Sequence, residues 1–513
     1  MSLLDGLILI GFLAATTALG AWLGRGDKSL GDFLLAGRRM PWWLILGSIV
    51  ATETSTVTVL SVPGKAYDPL EGDFRFLQVA MGFALGRVLV AVFLLPGYFR
   101  GELYSAYEVL QTRFGVTTRR LASAVFLIAR NVGDGLRLYL AALVLQQLGA
   151  ASTEGATWSF PVCVLAVGVC TMIYTSLGGM RSVVWNDCIQ LVIYLIGAVI
   201  AAAIILQRLP DGWETVLETA RVEQKWRLFY FHLSNYEQFP RTGGQTLFVG
   251  LLGGAFLSFG THGVDQMMVQ RYLASRSYRD AIIALIGSGV FVIAQFALFL
   301  FLGVLLRAFY VHVAPEMQVS DLDKVFAEFI ARELPLGAKG LVLAAIMAAA
   351  MSTLSSSFSS SAAALLSDFC GVGAGERHSG APLLWGRIAT YSFGVIQMLA
   401  ALVVYYQGSD ATVIDRVLQL AGVTTGLTLG VYLLGLGAPR AKEVDAVVGI
   451  LFGVVVVGFM FYGLAPLQQW WGVERQAMIR IPHLLNSVFF SLSVMFAGAM
   501  SSAVRTRWKG GRA

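Results

Sequence analysis

The sequence predicts an all-α integral membrane protein with about thirteen transmembrane helices. Hydrophobic residues make up 57% of the 513 residues and charged residues only 13%, about half the share of an ordinary soluble domain. A soluble protein of this size could not bury so much apolar surface, so the composition excludes a soluble enzyme. It also excludes a disordered chain, which needs low hydrophobicity and high charge. The net charge of +6 does not indicate nucleic-acid binding, because the basic residues are scattered between apolar segments.

The apolar segments follow one another along the whole chain, each near the length of about 20 residues that spans a bilayer. They are residues 4–24, 42–63, 75–97, 119–149, 158–177, 184–207, 245–270, 278–310, 338–368, 384–406, 411–437, 444–464 and 480–503. The first segment lacks a basic flank and a clear cleavage site, so we interpret it as a retained helix rather than a signal peptide. The sequence contains no P-loop and no dinucleotide-binding fingerprint, which argues against an ATP-driven pump and predicts no organic cofactor.

Lys and Arg residues concentrate in alternate short loops. Examples are Arg38 and Arg39, Arg119 and Arg120, and Arg505 in the C-terminal tail. Because cytoplasmic loops are enriched in these residues, the pattern predicts an outside N-terminus and a cytoplasmic C-terminus. The long segment 208–244 then lies outside, and its aromatic residues predict a piece at the membrane interface. The absence of a eukaryotic-style long loop or a glycosylation-rich tail favours a bacterial inner membrane.

The second span carries an unusually polar stretch. Seven of the eleven residues from Ser48 to Thr58 have a side-chain oxygen. Ser and Thr side chains compete with the helix for backbone hydrogen bonds, so the stretch predicts a helix that is broken near the middle of the membrane. Freed carbonyl oxygens at such a break are good ligands for a hard cation. The alternative is an unbroken helix packed through small residues, and the charge of Glu53 makes that interpretation the weaker one.

The ninth span is rich in hydroxyl groups. Ser352, Ser355 and Ser356 lie at positions i, i+3 and i+4 and therefore share one helix face, with Thr353 beside them. Their oxygens are a plausible ligand set for sodium. A small-residue packing face is the alternative, and the spacing leaves both interpretations open.

An aspartate follows the turn between the fifth and sixth spans. Gly178 and Gly179 permit a tight turn, and Asp187 lies one to two helical turns after it. Asp187 either caps the sixth span or supplies negative charge to a bound cation.

The fourth span contains three charged residues on one face. Arg130, Asp134 and Arg137 are spaced at i, i+4 and i+7, and intramembrane charges are costly enough to be functional candidates. One positive charge is left over, which Glu53 could neutralise. The alternatives are a closed ion-pair network that holds helices together, or an Arg137 that binds a carboxylate of the solute.

Other spans contain isolated polar residues. His262, Asp265 and Gln266 lie on consecutive turns of the seventh span, and Gln78, Gln295 and Gln419 lie in other spans. A single glutamine of this kind more often makes a helix–helix hydrogen bond than binds a ligand. The pair of His262 and Asp265 is the only support for a membrane enzyme, and because no nucleophile or metal set accompanies it we expect no enzymatic activity.

Taken together, these segments resemble the sodium:solute symporter family, which includes sodium-coupled sugar, proline, sialic acid, iodide and vitamin carriers. The motifs are Ala36-Gly37-Arg38-Arg39-Met40-Pro41-Trp42-Trp43, Gly178-Gly179 with Trp185-Asn186-Asp187 and Gln190, Asp265-Gln266 with Gln270-Arg271, and the serine-rich span with Ser367-Asp368 at its end. The resemblance implies one transporter domain over 1–513, built on two inverted five-helix repeats with discontinuous first helices. The first repeat would cover 42–207 and the second 245–437, with an extra helix at 4–24 and C-terminal helices at 444–503.

The resemblance also implies the sodium sites, and therefore one or two sodium ions. The main site would use the carbonyls of Ala51, Thr54 and Ala349 and the hydroxyls of Ser352 and Thr353. A second site would use the carboxylate of Asp187 and the hydroxyls of Ser352, Ser355 and Ser356.

The solute is constrained less tightly. The sugar-binding pattern of the family is absent, because Val57-Thr58 replaces a Glu-Gln pair, Val292 replaces a lysine, and Thr261-His262 replaces an aromatic pair. Arg137 favours an anionic or zwitterionic solute such as an amino acid or an organic acid. The candidate solute-binding residues are Glu53, Thr58, Gln78, Asp134, Arg137, Thr261, His262 and Gln419.

We therefore expect sodium-coupled symport of a small organic solute by alternating access. The alternatives are a sugar or vitamin-type solute, coupling to protons, and a sensor-like protein on the same fold, although the tail after Ser502 is too short for an output domain. The expected partners are the solute and membrane lipid, with no nucleic acid, and the expected state is a monomer or a homodimer.

Overall fold

The computed structural model describes residues 3–26, 29–101, 103–150, 158–231, 246–317, 319, 321–371, 380–407, 413–463 and 482–510. These residues form α-helices and contain no β-strand, which confirms the predicted all-α class. The helices, numbered in chain order, are α1 Leu3–Leu23, α2 Leu30–Leu35, α3 Trp42–Glu53, α4 Thr56–Tyr67, α5 Leu77–Leu89, α6 Leu95–Tyr98, α7 Glu108–Arg113, α8 Val116–Ala150, α9 Phe160–Arg208, α10 Trp213–Val222, α11 Leu247–Gly263, α12 Gln266–Ala274, α13 Tyr278–His312, α14 Val325–Glu333, α15 Ala338–Ala364, α16 Gly380–Gln407, α17 Val413–Gly437, α18 Glu443–Gly458 and α19 Asn486–Gly510.

Many of these helices can cross a membrane. Among the described residues, nine are long and apolar enough, and up to eleven spans result if each of two bent helix pairs is one span. In the most apolar 18-residue stretch of the span Ala338–Phe369, which contains α15, 94% of the residues are buried. This helix therefore lies at the centre of the protein rather than against lipid. The serine-rich face that the sequence singles out is therefore surrounded by other helices.

Helix α9 reverses direction at Gly179. It contains 49 residues, which would extend about 74 Å if straight, more than twice the apolar thickness of a bilayer. Gly179 has φ 53° and ψ −158°, a conformation that favours glycine. Tyr174 and Asp187, on either side of it, contact the neighbouring residues Met351 and Ser352 of α15. In a continuous helix those two side chains would stand about 20 Å apart.

Two helices are interrupted inside the apolar region. The axis turns by 61° between α3 and α4 and by 58° between α11 and α12. The first interruption, at Thr54 and Ser55, lies within the polar stretch that predicted it. The second lies at Val264 and Asp265. Both breaks place irregular backbone in the protein interior, where membrane proteins tolerate it.

Helices α5 and α11 pack closely against each other. A Cβ atom added at Gly82 would lie 2.5 Å from the Gly250 carbonyl oxygen, and one at Gly86 would lie 2.3 Å from that of Ala255. Only glycine permits such an approach of two backbones.

The predicted interface segment is described as far as residue 231. It contains the amphipathic helix α10, and Trp213 and Trp226 both pack against Phe301 of α13. Residues 232–244 of that prediction lie outside the described residues.

Candidate sodium and solute site

The break between α3 and α4 releases two backbone carbonyls. In a continuous helix the Ser55 amide would donate to Ala51, but it donates to Glu53 at 3.1 Å. The Thr58 amide would likewise donate to Thr54, but it donates to Ser55 at 2.9 Å. The carbonyls of Ala51 and Thr54 therefore lose their regular helical partners, and these are the two carbonyls that the predicted main sodium site requires.

Helix α15 contacts α3 at the same level. The Thr353 hydroxyl donates to the Thr52 carbonyl at 3.2 Å and lies 3.4 Å from the Ala349 carbonyl of its own helix. The structure thus places Thr353 and Ala349 beside the end of α3. The hydroxyl of Ser352, the fifth predicted ligand, instead donates to Asp187 Oδ1 at 2.6 Å.

Buried polar atoms without partners lie in and beside this break. Gln295 Nε2 donates to the Thr54 hydroxyl. The Oε1 atom of Gln295, the Thr56 hydroxyl and the Tyr194 hydroxyl are buried with no hydrogen-bond partner among the described residues. Buried polar groups are normally satisfied, so unpaired oxygens in a helix break are consistent with a ligand or water position.

Asp187 is the centre of a fully buried polar group, here called the Asp187 cluster. Its members are Ser48, Thr52, Asp187, Arg271, Ser352 and Ser356. Asp187 is an ion-pair partner of Arg271, with Nη2 2.9 Å from Oδ2. It therefore does not cap the sixth span, because its oxygens face side chains of α3, α12 and α15. Ser355, the remaining residue of the predicted second sodium site, donates to the Ser352 carbonyl at 3.0 Å.

A cavity of about 130 Å³ lies between the two helix breaks. Of the eight candidate solute-binding residues, five line it, namely Glu53, Thr58, Arg137, Thr261 and His262. Phe76, Phe83 and Phe296 form an aromatic part of its wall. The cavity therefore combines charged groups with an apolar surface, as small-molecule sites do.

The other three candidates do not line this cavity. The amide of Gln78 bonds to backbone atoms of Arg75 and Tyr230, which ties α5 to the segment after α10. Asp134 is buried behind the cavity wall, where it holds two arginines. Gln419, in α17, is half-buried.

A buried ion pair lies in the wall of the cavity. Arg87 of α5 donates to Glu53 and, at 3.0 Å, to the Ser288 hydroxyl of α13. His262 Nε2 is buried and has no hydrogen-bond partner among the described residues, although it lies 3.8 Å from Glu53 Oε2. Sequence reasoning did not identify Arg87, although an arginine within the third apolar span is a signal of this kind.

Four charged residues form a network on the opposite wall. Arg130 contacts Asp134 at 2.6 Å and Asp265 at 3.3 Å, and Arg137 is the second partner of Asp134. The contacts of Arg130 and Asp134 therefore agree with the interpretation of a closed ion-pair network that holds helices together. Arg137 also faces the cavity, and its Nε atom is buried with no hydrogen-bond partner in the part of the chain that the structure describes. A second cavity, of about 80 Å³, shares Arg130, Arg137 and Asp265 with the first and extends past Thr425 and Thr428.

A model of the sodium:solute symporter family matches residues 33–453. The chain belongs to the sodium:solute symporter family. It is therefore an integral membrane transporter of the sodium symport type and not an enzyme, as the sequence predicted.

Individual members of this family are similar over most of their length. The sodium/sialic acid symporter NanT of Aliivibrio fischeri is 29% identical over 474 residues, which cover 90% of each chain. The sodium-dependent multivitamin transporter of Oryctolagus cuniculus is 29% identical and covers 91% of this chain and 72% of its own. The solved structure of a Na⁺-coupled sialic acid symporter, in a substrate-bound outward-open state, superposes with a TM-score of 0.82 at 25% identity over 98% of each chain.

Proposed function

We propose that this symporter carries a small anionic or zwitterionic solute, such as an amino acid or an organic acid, together with sodium that binds at the break between α3 and α4. The observation that carries the proposal is the pair of carbonyls, at Ala51 and Thr54, whose amide partners bond elsewhere. Ala349, Ser352 and Thr353 of α15 would complete the sodium site. Asp187, with Ser352, Ser355 and Ser356, would form the second one.

The balance of charge in the cavity supports this solute class. The walls and their partners contain three cations, Arg87, Arg130 and Arg137, and three anions, Glu53, Asp134 and Asp265. A carboxylate that enters with one sodium ion leaves this balance unchanged, which favours an anionic solute, and a zwitterion offers the same carboxylate to an arginine. Arg137 is the cation best placed to bind a carboxylate, because it lines the cavity and has a single ion-pair partner among the described residues.

The resemblance to a sialic acid symporter agrees with a carboxylate-bearing solute. The similarity to a multivitamin transporter keeps a vitamin-type solute as the second candidate. Proton coupling and a sensor-like role gain no separate support from the described contacts.

Sodium would couple to transport by joining two elements. The ion would bridge α15 to the end of α3, whose Thr52 and Glu53 line the solute cavity. It can favour one conformation only by as much as it binds that conformation better, and solute and sodium must then strengthen each other's binding to the same extent.

The topology follows from the same assignment. Eight helices would each span the membrane once, namely α1, α8, α13, α15, α16, α17, α18 and α19. Three pairs of consecutive helices would also form one span each, namely α3 with α4, α5 with α6, and α11 with α12. Helix α9 would span the membrane twice. This gives about thirteen spans with the N-terminus outside and the C-terminus in the cytoplasm, two inverted repeats at 42–207 and 245–437, and a bacterial inner membrane as the location.

The test is the thermal stability of the purified protein against a panel of amino acids, organic acids, sialic acid, vitamins and sugars, in sodium and in potassium at equal ionic strength. A ligand that binds only the folded protein raises its melting temperature. We expect a carboxylate-bearing solute to do so in sodium and not in potassium. Stabilisation by a neutral sugar, or equal stabilisation in both salts, would contradict the proposal.

A matched pair of variants locates the ion. Thr353→Ala should raise the sodium concentration needed for half-maximal stabilisation about tenfold, the equivalent of ~1.4 kcal/mol. It also removes a buried methyl group and the hydrogen bond to Thr52, so the melting temperature in potassium should fall as well, by an amount that does not depend on sodium. Ser360→Ala is the control, because among the described residues this hydroxyl of the same helix donates to the Ser357 carbonyl alone. If both variants keep the sodium dependence of the unmodified protein, the ion does not bind at Thr353.

A further inference from the structure

The guanidinium of Arg271 lies among oxygen atoms in the Asp187 cluster. Its Nε atom donates to the Ser48 hydroxyl at 2.8 Å, and its Nη2 atom to Asp187 Oδ2 at 2.9 Å. The same Nη2 atom also donates to the hydroxyls of Thr52 and Ser356. Both Arg271 and Asp187 are completely buried. One nitrogen of a cationic side chain thus has three oxygens around it, two of them from residues of the predicted second sodium site.

The Arg271 side chain is held rigidly in this position. Its third nitrogen, Nη1, donates to the Met267 carbonyl one turn earlier on α12, at 2.6 Å. All three guanidinium nitrogens therefore have partners in fixed directions, which is the geometry in which arginine binds oxygens most effectively. The conformation is specific, and a cation of the protein already neutralises the Asp187 carboxylate.

A sodium ion would compete with Arg271 for these oxygens. Asp187 Oδ2 and the Ser356 hydroxyl now accept protons from Nη2, whereas Asp187 Oδ1 accepts a proton from Ser352. A sodium ion that uses Asp187 Oδ2 and Ser356 together must therefore take the place of Nη2. It would also place a second positive charge beside the guanidinium in a buried site, where like charges repel strongly. Asp187 supplies one negative charge, which the two cations would share. Sodium therefore binds Asp187 and Ser356 more favourably once Arg271 has withdrawn.

Withdrawal of Arg271 would disconnect several helices. Arg271 belongs to α12, the second half of the second bent pair, and its partners belong to α3, α9 and α15. We propose that Arg271 competes with a second sodium ion for Asp187, so that sodium binding at Asp187 releases α12 from α3. This inference rests on the proposed sodium symport and adds a residue that regulates its second ion.

The test is a sodium titration of the protein without solute, followed by thermal stability and by equilibrium binding of radioactive sodium. In Arg271→Gln the second binding step should move to a sodium concentration at least tenfold lower, because the competing cation is gone. Arg271→Lys keeps a cation in the cluster and should titrate like the unmodified protein. An unchanged sodium titration in folded Arg271→Gln would overturn the inference.

The double variant Asp187→Asn with Arg271→Gln is the matched control, because it removes both charges and leaves no buried charge unpaired. It should bind sodium only at the site that depends on Thr353. If the double variant keeps the second binding step, the ion does not bind at Asp187 and the inference is wrong. If the unmodified protein shows no sodium response at all, the proposed function fails; if it responds and Arg271→Gln changes nothing, only the competition fails.

Hydrogen exchange measures the release directly and needs only one variant. Amides of residues 266–274 should exchange faster when sodium is added to the unmodified protein, since local opening sets the exchange rate. In the double variant, sodium should leave their exchange unchanged. Slower exchange of these amides with sodium in the unmodified protein would contradict the proposed release.

Discussion

The two helix breaks are similar in shape and opposite in chemistry. The open break, Thr54 and Ser55 between α3 and α4, bends the axis by 61°, and the closed break, Val264 and Asp265 between α11 and α12, bends it by 58°. At the open break Ser55 makes no side-chain cap, and the Thr56 hydroxyl has no partner among the described residues. The protein leaves polar groups of this break without partners of their own.

The closed break supplies its own partners. Asp265 accepts a hydrogen bond from the Met267 amide at 2.8 Å and thereby caps α12. The Tyr98 hydroxyl donates to the Gly263 carbonyl at 2.5 Å, and Arg130 pairs with the Asp265 carboxylate.

The bend alone therefore does not identify a ligand site in this fold. Backbone groups in a membrane interior must have hydrogen-bond partners. The two breaks differ in whether the protein itself supplies those partners. Among the described residues, the open break has unpaired oxygens that an ion could bind, whereas polar groups of the closed break have partners within the protein. The comparison predicts that equivalent substitutions at the two breaks damage different properties.

The largest effect is expected at the closed break. Asp265→Ala removes a helix cap, worth about 1 kcal/mol, and leaves Arg130 without one of its two carboxylates, so that the total loss should approach the ~3–5 kcal/mol of a broken buried ion pair. Ser55→Ala, at the equivalent N-cap position of α4, should cost less than ~1 kcal/mol because Ser55 makes no cap. Thermal unfolding in potassium measures both. Equal losses would contradict the distinction between the breaks. Asp265→Asn, which can still cap, should lie between them.

A smaller effect is expected from the packing that supports the closed break. Gly86→Ala would bring a Cβ atom to 2.3 Å from the Ala255 carbonyl oxygen and 2.7 Å from Ser258 Cβ, so α5 and α11 must move apart at a cost of about 1–3 kcal/mol. Gly97→Ala is the matched control on the same span, because its Cβ atom would meet only Val109, at 4.0 Å. That variant should be neutral or slightly more stable. The melting temperatures of the two variants, measured side by side, check this, and a neutral Gly86→Ala would show that the helix pair can separate freely.

The sequence predicted the open break better than the closed one. Ser and Thr residues with Glu53 in the middle of an apolar span are visible as a pattern, because each of them competes with the helix for hydrogen bonds. At the closed break His262, Asp265 and Gln266 are polar, but they do not form a dense run like that of the second span, so the residues alone did not predict an interruption there. The resemblance to the family implied it.

The sequence did not predict the ion pairs that form between distant parts of the chain. Arg87 pairs with Glu53, and Arg271 pairs with Asp187. Which charges meet depends on how α3, α5, α9 and α12 pack, and no local periodicity encodes that. The alternatives left open for Asp187, a helix cap or a cation ligand, omitted the internal cation that the structure places beside it.

The smallest effect is expected at Arg137, which lies between the two breaks, and it is confined to the solute. Arg137→Lys keeps the positive charge next to Asp134 but replaces a two-pronged guanidinium with a single ammonium, which binds a carboxylate less well. The apparent solute affinity should fall about tenfold, equivalent to ~1.4 kcal/mol, while stability and sodium binding without solute stay nearly constant. Arg130→Lys provides the contrast, because Arg130 joins Asp134 to Asp265 and should lose stability instead. Solute titrations of the two variants by thermal shift distinguish a residue that binds the solute from one that stabilises the closed break. A loss of stability in Arg137→Lys with unchanged solute affinity would assign Arg137 to the ion-pair network alone.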